Sequence, residues 1–359
     1  MEVLLGGADP VVVFALWLGI GVAVLAALML VVIAVMRVVV LYRERVHAAA
    51  VARWRAILVN KTEDGRIPAL HRRDLSGFVE VWNDLHDPLK GATTPYFARV
   101  AREVGLESQL RRRLLRAGFH GRLVALIAMG HVQNTASFDL VESFVDDKNP
   151  IVSLCAARAL MQIDPTRAVS KFVPQIVRRS DWSQGSVAAI LSEAGADAVA
   201  RELSEATLQA NVEIAPRLIR FLAGVSQEAA APIVRKIVET SKDERLISTC
   251  LQVMTNREDL DCVRPLLAHP RWHVRMQAAV TLGRLGVPGD EQRLIPILAD
   301  QQWWVRYRAA QALLRMSFVG AENMRRIQAA QTDGYARDII KHVLAEQAMG
   351  IVASPAVPQ

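Results

Sequence analysis

The chain is poor in the residues on which most catalytic and cross-linked folds depend. Its three cysteines, Cys155, Cys250 and Cys262, form neither an even framework nor a zinc spacing. That excludes a disulfide scaffold and suits a reducing compartment. Aromatics make up 6% of the 359 residues, and 15 prolines and 20 glycines are too few for a disordered or collagen-like chain. No sustained apolar/polar alternation with hairpin turns is present, which excludes a β-rich domain. No glycine-rich loop ends in Lys-Ser/Thr, so no phosphate cradle is encoded; Gly19 and Gly21 fall inside an apolar run. No serine sits in a nucleophile elbow. His269 and His273 have a metal-ligand spacing, but Pro270 lies between them, and they read as turn histidines. Paired acids such as Asp146-Asp147 fall in turns, where they cap the next helix. No catalytic residue, cofactor or metal is expected.

What the chain has in abundance is periodicity. Trp272-His273-Val274-Arg275, Ala278-Ala279 and Leu282 return in the same order as Trp303-Trp304-Val305-Arg306, Ala309-Ala310 and Leu313. A fixed interval of this size, about 31 residues, is the period of a stacked-repeat protein. With Leu282 as the ruler, large aliphatic residues stand at Met129, Leu160, Leu191, Leu222, Val253, Leu313 and Leu344. Pro174, Pro265 and Pro296 stand at one constant distance before Leu191, Leu282 and Leu313. Arg122, Arg275, Arg306 and Arg337 likewise precede four of the ruler positions by a constant two turns of helix. Proline, arginine and paired alanine in one register are the mark of stacked repeats. Each unit reads as two helices, in the last complete copies residues 291–299 and 304–316. The second carries one apolar stripe over Val305, Ala309, Ala312, Leu313 and Met316. One such pair cannot bury its own apolar face, so the copies must stack.

Pro265, Val274, Arg275, Ala278, Ala279, Leu282 and Gly283, with their partners one period onward, resemble the HEAT repeats. In length they resemble the short form found in bacteria and in bilin-lyase relatives. The resemblance covers roughly residues 106–348, with the copies between residues 184 and 255 degenerate. It implies an all-α chain with a right-handed α-solenoid whose role is to bind other proteins. It also implies that the recurring arginines bridge to acids of a neighbouring repeat, such as Asp147 or Asp300, with ligand binding as the other reading.

Residues 11–36 contain no charged side chain. At ~1.5 Å per residue they form about 39 Å of helix, enough to cross a bilayer with tilt. A cleaved signal peptide is the rival reading; the length of the run and the absence of preceding basic residues speak against it. No Lys or Arg precedes the run, whereas residues 43–120 hold 15 basic against 9 acidic side chains and residues 121–359 hold 27 against 25. The positive-inside rule then places the N-terminus outside and the repeats in the cytoplasm, at a bacterial inner membrane. Gly19, Ala23 and Ala27 form a small-residue face that either docks another membrane helix, as in a homodimer, or reflects common alanine. Arg43, Arg45, Arg53, Trp54 and Arg55 are read either as a membrane-surface segment or as a solvated linker helix. Arg111, Arg112, Arg113 and Arg116 form a basic cluster, read as a solvated face or an anion site.

The expected organisation is a short extracytoplasmic tail (1–10), a transmembrane helix (11–41), and a juxtamembrane basic helix with linker (42–66). A helical cap (67–118), HEAT-like repeats (119–348) and a disordered tail (349–359) follow. Candidate partner-binding residues are Trp272, Trp303, Trp304, Arg275, Arg306 and Arg337. The tryptophans, with Trp182 near the same register, either wedge between repeats or form an exposed ridge. The expected function is a non-catalytic, membrane-anchored scaffold for a protein partner, such as a subunit of a polysaccharide glycosyltransferase complex. A bilin-lyase-like enzyme is one alternative. Nucleic-acid binding is another, against which the near-neutral repeats argue.

Overall fold

The computed structural model describes residues 10–59, 67–86 and 94–350, and among these every regular element is helical. The expected terminal tails and the end of the expected linker, residues 60–66, lie largely outside the described residues. The chain divides into two compact units, Met1–Asp146 and Asp147–Gln359.

The first unit contains α1 (Pro10–Val59), α2 (Leu75–His86), α3 (Thr94–Glu103), α4 (Leu106–Arg116), α5 (Phe119–Val132) and the short α6 (Phe138–Glu142). From Phe14 onward α1 is long and apolar enough to cross a membrane, a test that a signal sequence also passes. The helix does not end with that apolar run. Ala50, Trp54 and Leu58 recur every four residues and are buried, because one turn of helix returns each to the same face. The Trp54 ring meets Phe78 edge-on at 4.9 Å, Phe78 stacks on Trp82 at 5.8 Å, and Trp82 meets Phe97 edge-on at 5.2 Å. At Gly77 an added Cβ would lie 2.9 Å from both Ala50 Cβ and the Val51 amide nitrogen, so α2 approaches α1 as only glycine permits. Polar pairs flank this seam: a His47–Glu80 hydrogen bond at 2.7 Å, and the ion pairs Arg53–Asp74 at 2.6 Å and Arg55–Asp84 at 3.0 Å.

Trp54, expected at a membrane surface or on a solvated linker helix, is instead part of this core. It is 1% exposed. The two arginines serve the α1–α2 seam, while Arg43 and Arg45 are exposed.

The second unit stacks helical pairs. Its degenerate half holds α7 (Pro150–Ile163), α8 (Pro165–Arg178), α9 (Gln184–Ala194), α10 (Ala196–Gln209), α11 (Ala215–Val225) and α12 (Gln227–Thr240). The regular half holds α13 (Glu244–Val253), α14 (Leu260–Val263), α15 (Trp272–Leu285), α16 (Glu291–Leu294), α17 (Trp303–Arg315), α18 (Gly320–Ala330) and α19 (Gly334–Ala348). After α14 and α16 the chain tightens into 3₁₀ turns at Arg264–Ala268 and Pro296–Ala299, each with proline at its start. The missing proline donor breaks the α ladder there.

Small residues set the spacing between repeats. A Cβ on Gly283 would fall 2.5 Å from the Cα of Ala312, so α15 and α17 are nearly in backbone contact. Most ruler positions are buried, among them Leu160, Leu191, Leu222, Leu282 and Leu313. Val253 and Leu344 are only half-buried. Their core places are taken by Leu251, which stands a strict period before Leu282, and by Val343. A shift of one or two residues rotates a helical side chain by about 100–200°, which moves it off the core face.

Two outcomes follow. A chain beginning at Arg43 should unfold cooperatively by circular dichroism. One beginning at Ile67 should lose several kcal/mol, because it removes Ala50, Trp54 and Leu58 from the core; equal melting temperatures would contradict the α1–α2 packing. Gly283→Ala should cost about 1–3 kcal/mol in denaturant unfolding, since the clash is with backbone.

Candidate partner-binding surface

The repeats are bonded to one another through arginine. Arg275, in the first turn of α15, places Nε 2.7 Å and Nη2 2.9 Å from the two Asp300 oxygens, while its Nη1 donates to the carbonyls of His269 and Pro270. The pairing of a planar guanidinium with both carboxylate oxygens fixes orientation as well as charge. It raises the pKa of Arg275. Burial alone would raise Asp300, but hydrogen bonds from Arg275 and the Gln302 amide hold it below the usual carboxylate range. The arginine–acid bridge expected from the family resemblance is therefore present at Arg275.

A second series, absent from the sequence reading, links the first helices. Arg235 meets Asp259 at 2.6 Å, and Arg264 meets Asp290 at 2.8 Å. Asp259 and Asp290 are one period apart and both are buried; that spacing was the signal available in the sequence. Two further arginines cap helix ends: Arg284 donates to the carbonyls of Leu251, Gln252 and Met254 at the end of α13, and Arg217 to those of Ile176 and Arg179 at the end of α8. Cations satisfy the last carbonyls of a helix and its negative pole.

The tryptophans divide by environment. Trp182 is a wedge: buried, stacked on Phe172 at 5.6 Å, its indole N–H donating to Ser153 Oγ at 2.9 Å. Trp272 is half-buried and meets the ring of His273 at 4.8 Å; His273 pairs with Glu244. Trp303 and Trp304 are not wedges. They are 43% and 51% exposed, in edge contact at 4.7 Å, and Tyr307 stacks on Trp303 at 4.9 Å. Trp303, Arg306 and Tyr307 lie three and four residues apart, hence on one outward face of α17, whereas Val305, Ala309, Leu313 and Met316 are buried. The Tyr307 hydroxyl donates to Glu346 at 2.9 Å, and its pKa is raised, first by burial and then by that acceptor. Beside this aromatic group a cavity of about 280 Å³ is lined by Trp303, Arg306, Tyr335, Asp338, Ile339 and His342.

The remaining expected residues are dispersed. Arg337 is exposed and stands outside the ladder. Arg122 lies over the Phe144 ring at 6.0 Å, and Asp147 accepts from the Asn149 amide rather than closing a rung. Gly19, Ala23 and Ala27 share one exposed face of α1. In the basic cluster Arg113 is half-buried, donates to Ser76 Oγ at 3.1 Å and has its pKa lowered by burial. Arg111, Arg112 and Arg116 are exposed. Burial pushes the Cys250 thiol up to about 12 and Cys262 up to about 11, so both are protonated at neutral pH and poor nucleophiles. Among the described residues no three His, Cys, Asp or Glu side chains converge on a metal position.

The ladder gives a pH signature. Asp290 and Asp300 have depressed pKa values in the folded chain. Their stabilisation is therefore complete above the unfolded carboxylate value of about 4 and is lost as pH falls through the folded values. Asp300→Asn should cost about 1–3 kcal/mol at pH 7, a reduced figure because Arg275 keeps some contact with water. The double variant Asp290→Asn/Asp300→Asn should show a flatter decline of melting temperature below pH 4 than the parent. Parallel declines would remove the ladder from the acid response.

A family match agrees with the repeat architecture of the regular half of the second unit. Residues 245–314 match the family described as HEAT repeats. Among solved structures the chain is similar to Kap121p, at 12% identity and a TM-score of 0.46, covering 84% of this chain and 42% of that one. The chain thus spans less than half the length of Kap121p. It is also similar to an engineered protein, at 16% identity and a TM-score of 0.33, covering 83% of this chain and 89% of that one. No curated protein matches. Residues 245–314, where the repeat period, the Gly283–Ala312 contact and the Arg275–Asp300 rung all fall, are a run of HEAT repeats.

Proposed function

We propose that the chain is a membrane-anchored, non-catalytic scaffold whose repeats hold a protein partner at the cytoplasmic face of a bacterial inner membrane. The observation that carries this is the exposed aromatic face at the start of α17. Trp303 and Trp304 stay in solvent although the neighbouring positions Val305, Ala309 and Ala310 are fully buried. A repeat packed this tightly leaves two tryptophans outside only at a free-energy disadvantage, and such residues dominate protein–protein interfaces. The anchor rests on α1. Its charge-free run, 11–36, exceeds a signal-peptide core, and no basic residue precedes it. The basic excess after residue 42 supports a cytoplasmic location. Tethering raises local concentration, so modest affinity suffices.

A photocrosslinker at position 303 of the full chain in native membranes should give one dominant adduct, absent when the crosslinker sits at exposed position 325. Trp303→Ala/Trp304→Ala should weaken capture of that adduct's protein by more than about tenfold, with melting temperature unchanged. Removal of residues 1–41 should release the chain from membranes, and a reporter after Gln359 should work only as a cytoplasmic reporter. Unchanged capture by the double variant, or a periplasmic reporter signal, would overturn the reading.

A further inference from the structure

The ladder stops one rung early. Arg275 and Arg306 are one repeat period apart and are anchored alike. The Nη1 of Arg275 donates to the carbonyls six and five residues before it, His269 and Pro270, and that of Arg306 to Asp300 and Gln301. In the earlier repeat the other edge of the guanidinium is taken by the Asp300 carboxylate. One period after Asp300 stands Gln331. It occupies the equivalent backbone position: the Asp300 amide donates to the carbonyl three residues back, Ile297, and the Gln331 amide does the same to Gln328. The fold of the rung is thus repeated while its acid is replaced by a neutral side chain.

Arg306 is left incomplete. Its buried Nε has no hydrogen-bond partner, and among the described residues no carboxylate lies within ion-pair distance of it. The Asp300 carboxylate is taken by Arg275 and feels Arg306 only through space. The Arg306 guanidinium lies over the ring of Tyr335 at 5.2 Å, a face that holds a cation without neutralising it. Its surroundings are the 280 Å³ cavity, with Trp303 and Ile339 as apolar walls and His342 also in the lining. Asp338 also lines this cavity but is exposed and unpaired with Arg306.

We propose that Arg306 is an open rung which binds a carboxylate supplied by the partner, an acidic segment carrying Asp or Glu next to an apolar residue that seats against Trp303. The donor fork is held in place by the two carbonyls and by Tyr335, so little side-chain freedom is lost when the carboxylate arrives. The cavity admits a side chain but not a helix. This rests on the partner-binding reading above and specifies the chemistry of that partner.

The test uses the full chain in detergent micelles and a fluorescein-labelled peptide of sequence Gly-Glu-Leu-Glu-Trp-Gly, compared with the same peptide carrying Gln for Glu. The acidic form should bind at least about tenfold more tightly. Arg306→Gln should abolish that preference. Gln331→Asp, which supplies the missing acid within the chain, should also abolish it and raise the melting temperature. Asp338→Asn should strengthen acidic-peptide binding without loss of stability. Equal binding of the two peptides, a preference that survives Arg306→Gln or Gln331→Asp, or a drop in melting temperature with Asp338→Asn like that of Asp300→Asn would overturn the open rung. In those cases a Trp303/Trp304-dependent adduct in membranes would leave the scaffold reading intact.

Discussion

A pair of short helices has too little interior to hold itself together, so each repeat of the second unit depends on the surface of the next. The dependence is tightest where α15 meets α17, with Gly283 against the backbone of Ala312. At that separation no side chain fits between the helices, and the stacking angle is set by backbone contact rather than by adaptable side chains. Polar groups brought this close must then be paired. The arginine ladder follows from that need: Arg264 with Asp290 and Arg275 with Asp300 bridge neighbouring copies. Arg217 and Arg284 meet the helix ends that stacking would otherwise leave without water.

Such pairs do not greatly stabilise a protein by themselves, because removing two charges from water offsets most of their attraction. Their geometric demand gives them a different role here. A bidentate rung tolerates little sliding, so it fixes the register between repeats that alanine and leucine alone would leave loose. The last rung has the geometry without the acid, and the aromatic face of α17 adjoins it. In the proposed open rung, the donor fork that fixes register between Arg275 and Asp300 is the one offered for recognition at Arg306.

Much of this was legible in the sequence because the period is strict where packing is strict. Between residues 265 and 314, proline, Val-Arg, paired alanine and leucine recur in one register, and each is accounted for by a 3₁₀ break, a rung, a close approach or a core position. Legibility failed where loop lengths vary. Near Val253 the frame slips, and the buried residue is Leu251. It failed differently at Trp54, because a tryptophan flanked by arginines on an emerging helix has the composition of a membrane-surface segment. Only the tertiary placement of Phe78 and Gly77 against it reveals a core. The environments of Trp182 and Trp303 also diverge despite near-equal register. Phe172 and Ser153 cover the first, whereas α17 leaves the second open.

The continuity of α1 has a mechanical consequence. From Val22 to Val59 the helix contains neither glycine nor proline, the residues at which helices usually kink. Its far end is clamped to α2 by Trp54, a His47–Glu80 hydrogen bond and two ion pairs. Within a bilayer such a rod behaves as a lever. A tilt of ~20°, ordinary for a membrane helix, carries Trp54 sideways by roughly 9 Å, and the rest of the first unit moves with it. Bilayer thickness, which sets that tilt, would thereby become a variable that the folded part of the chain senses.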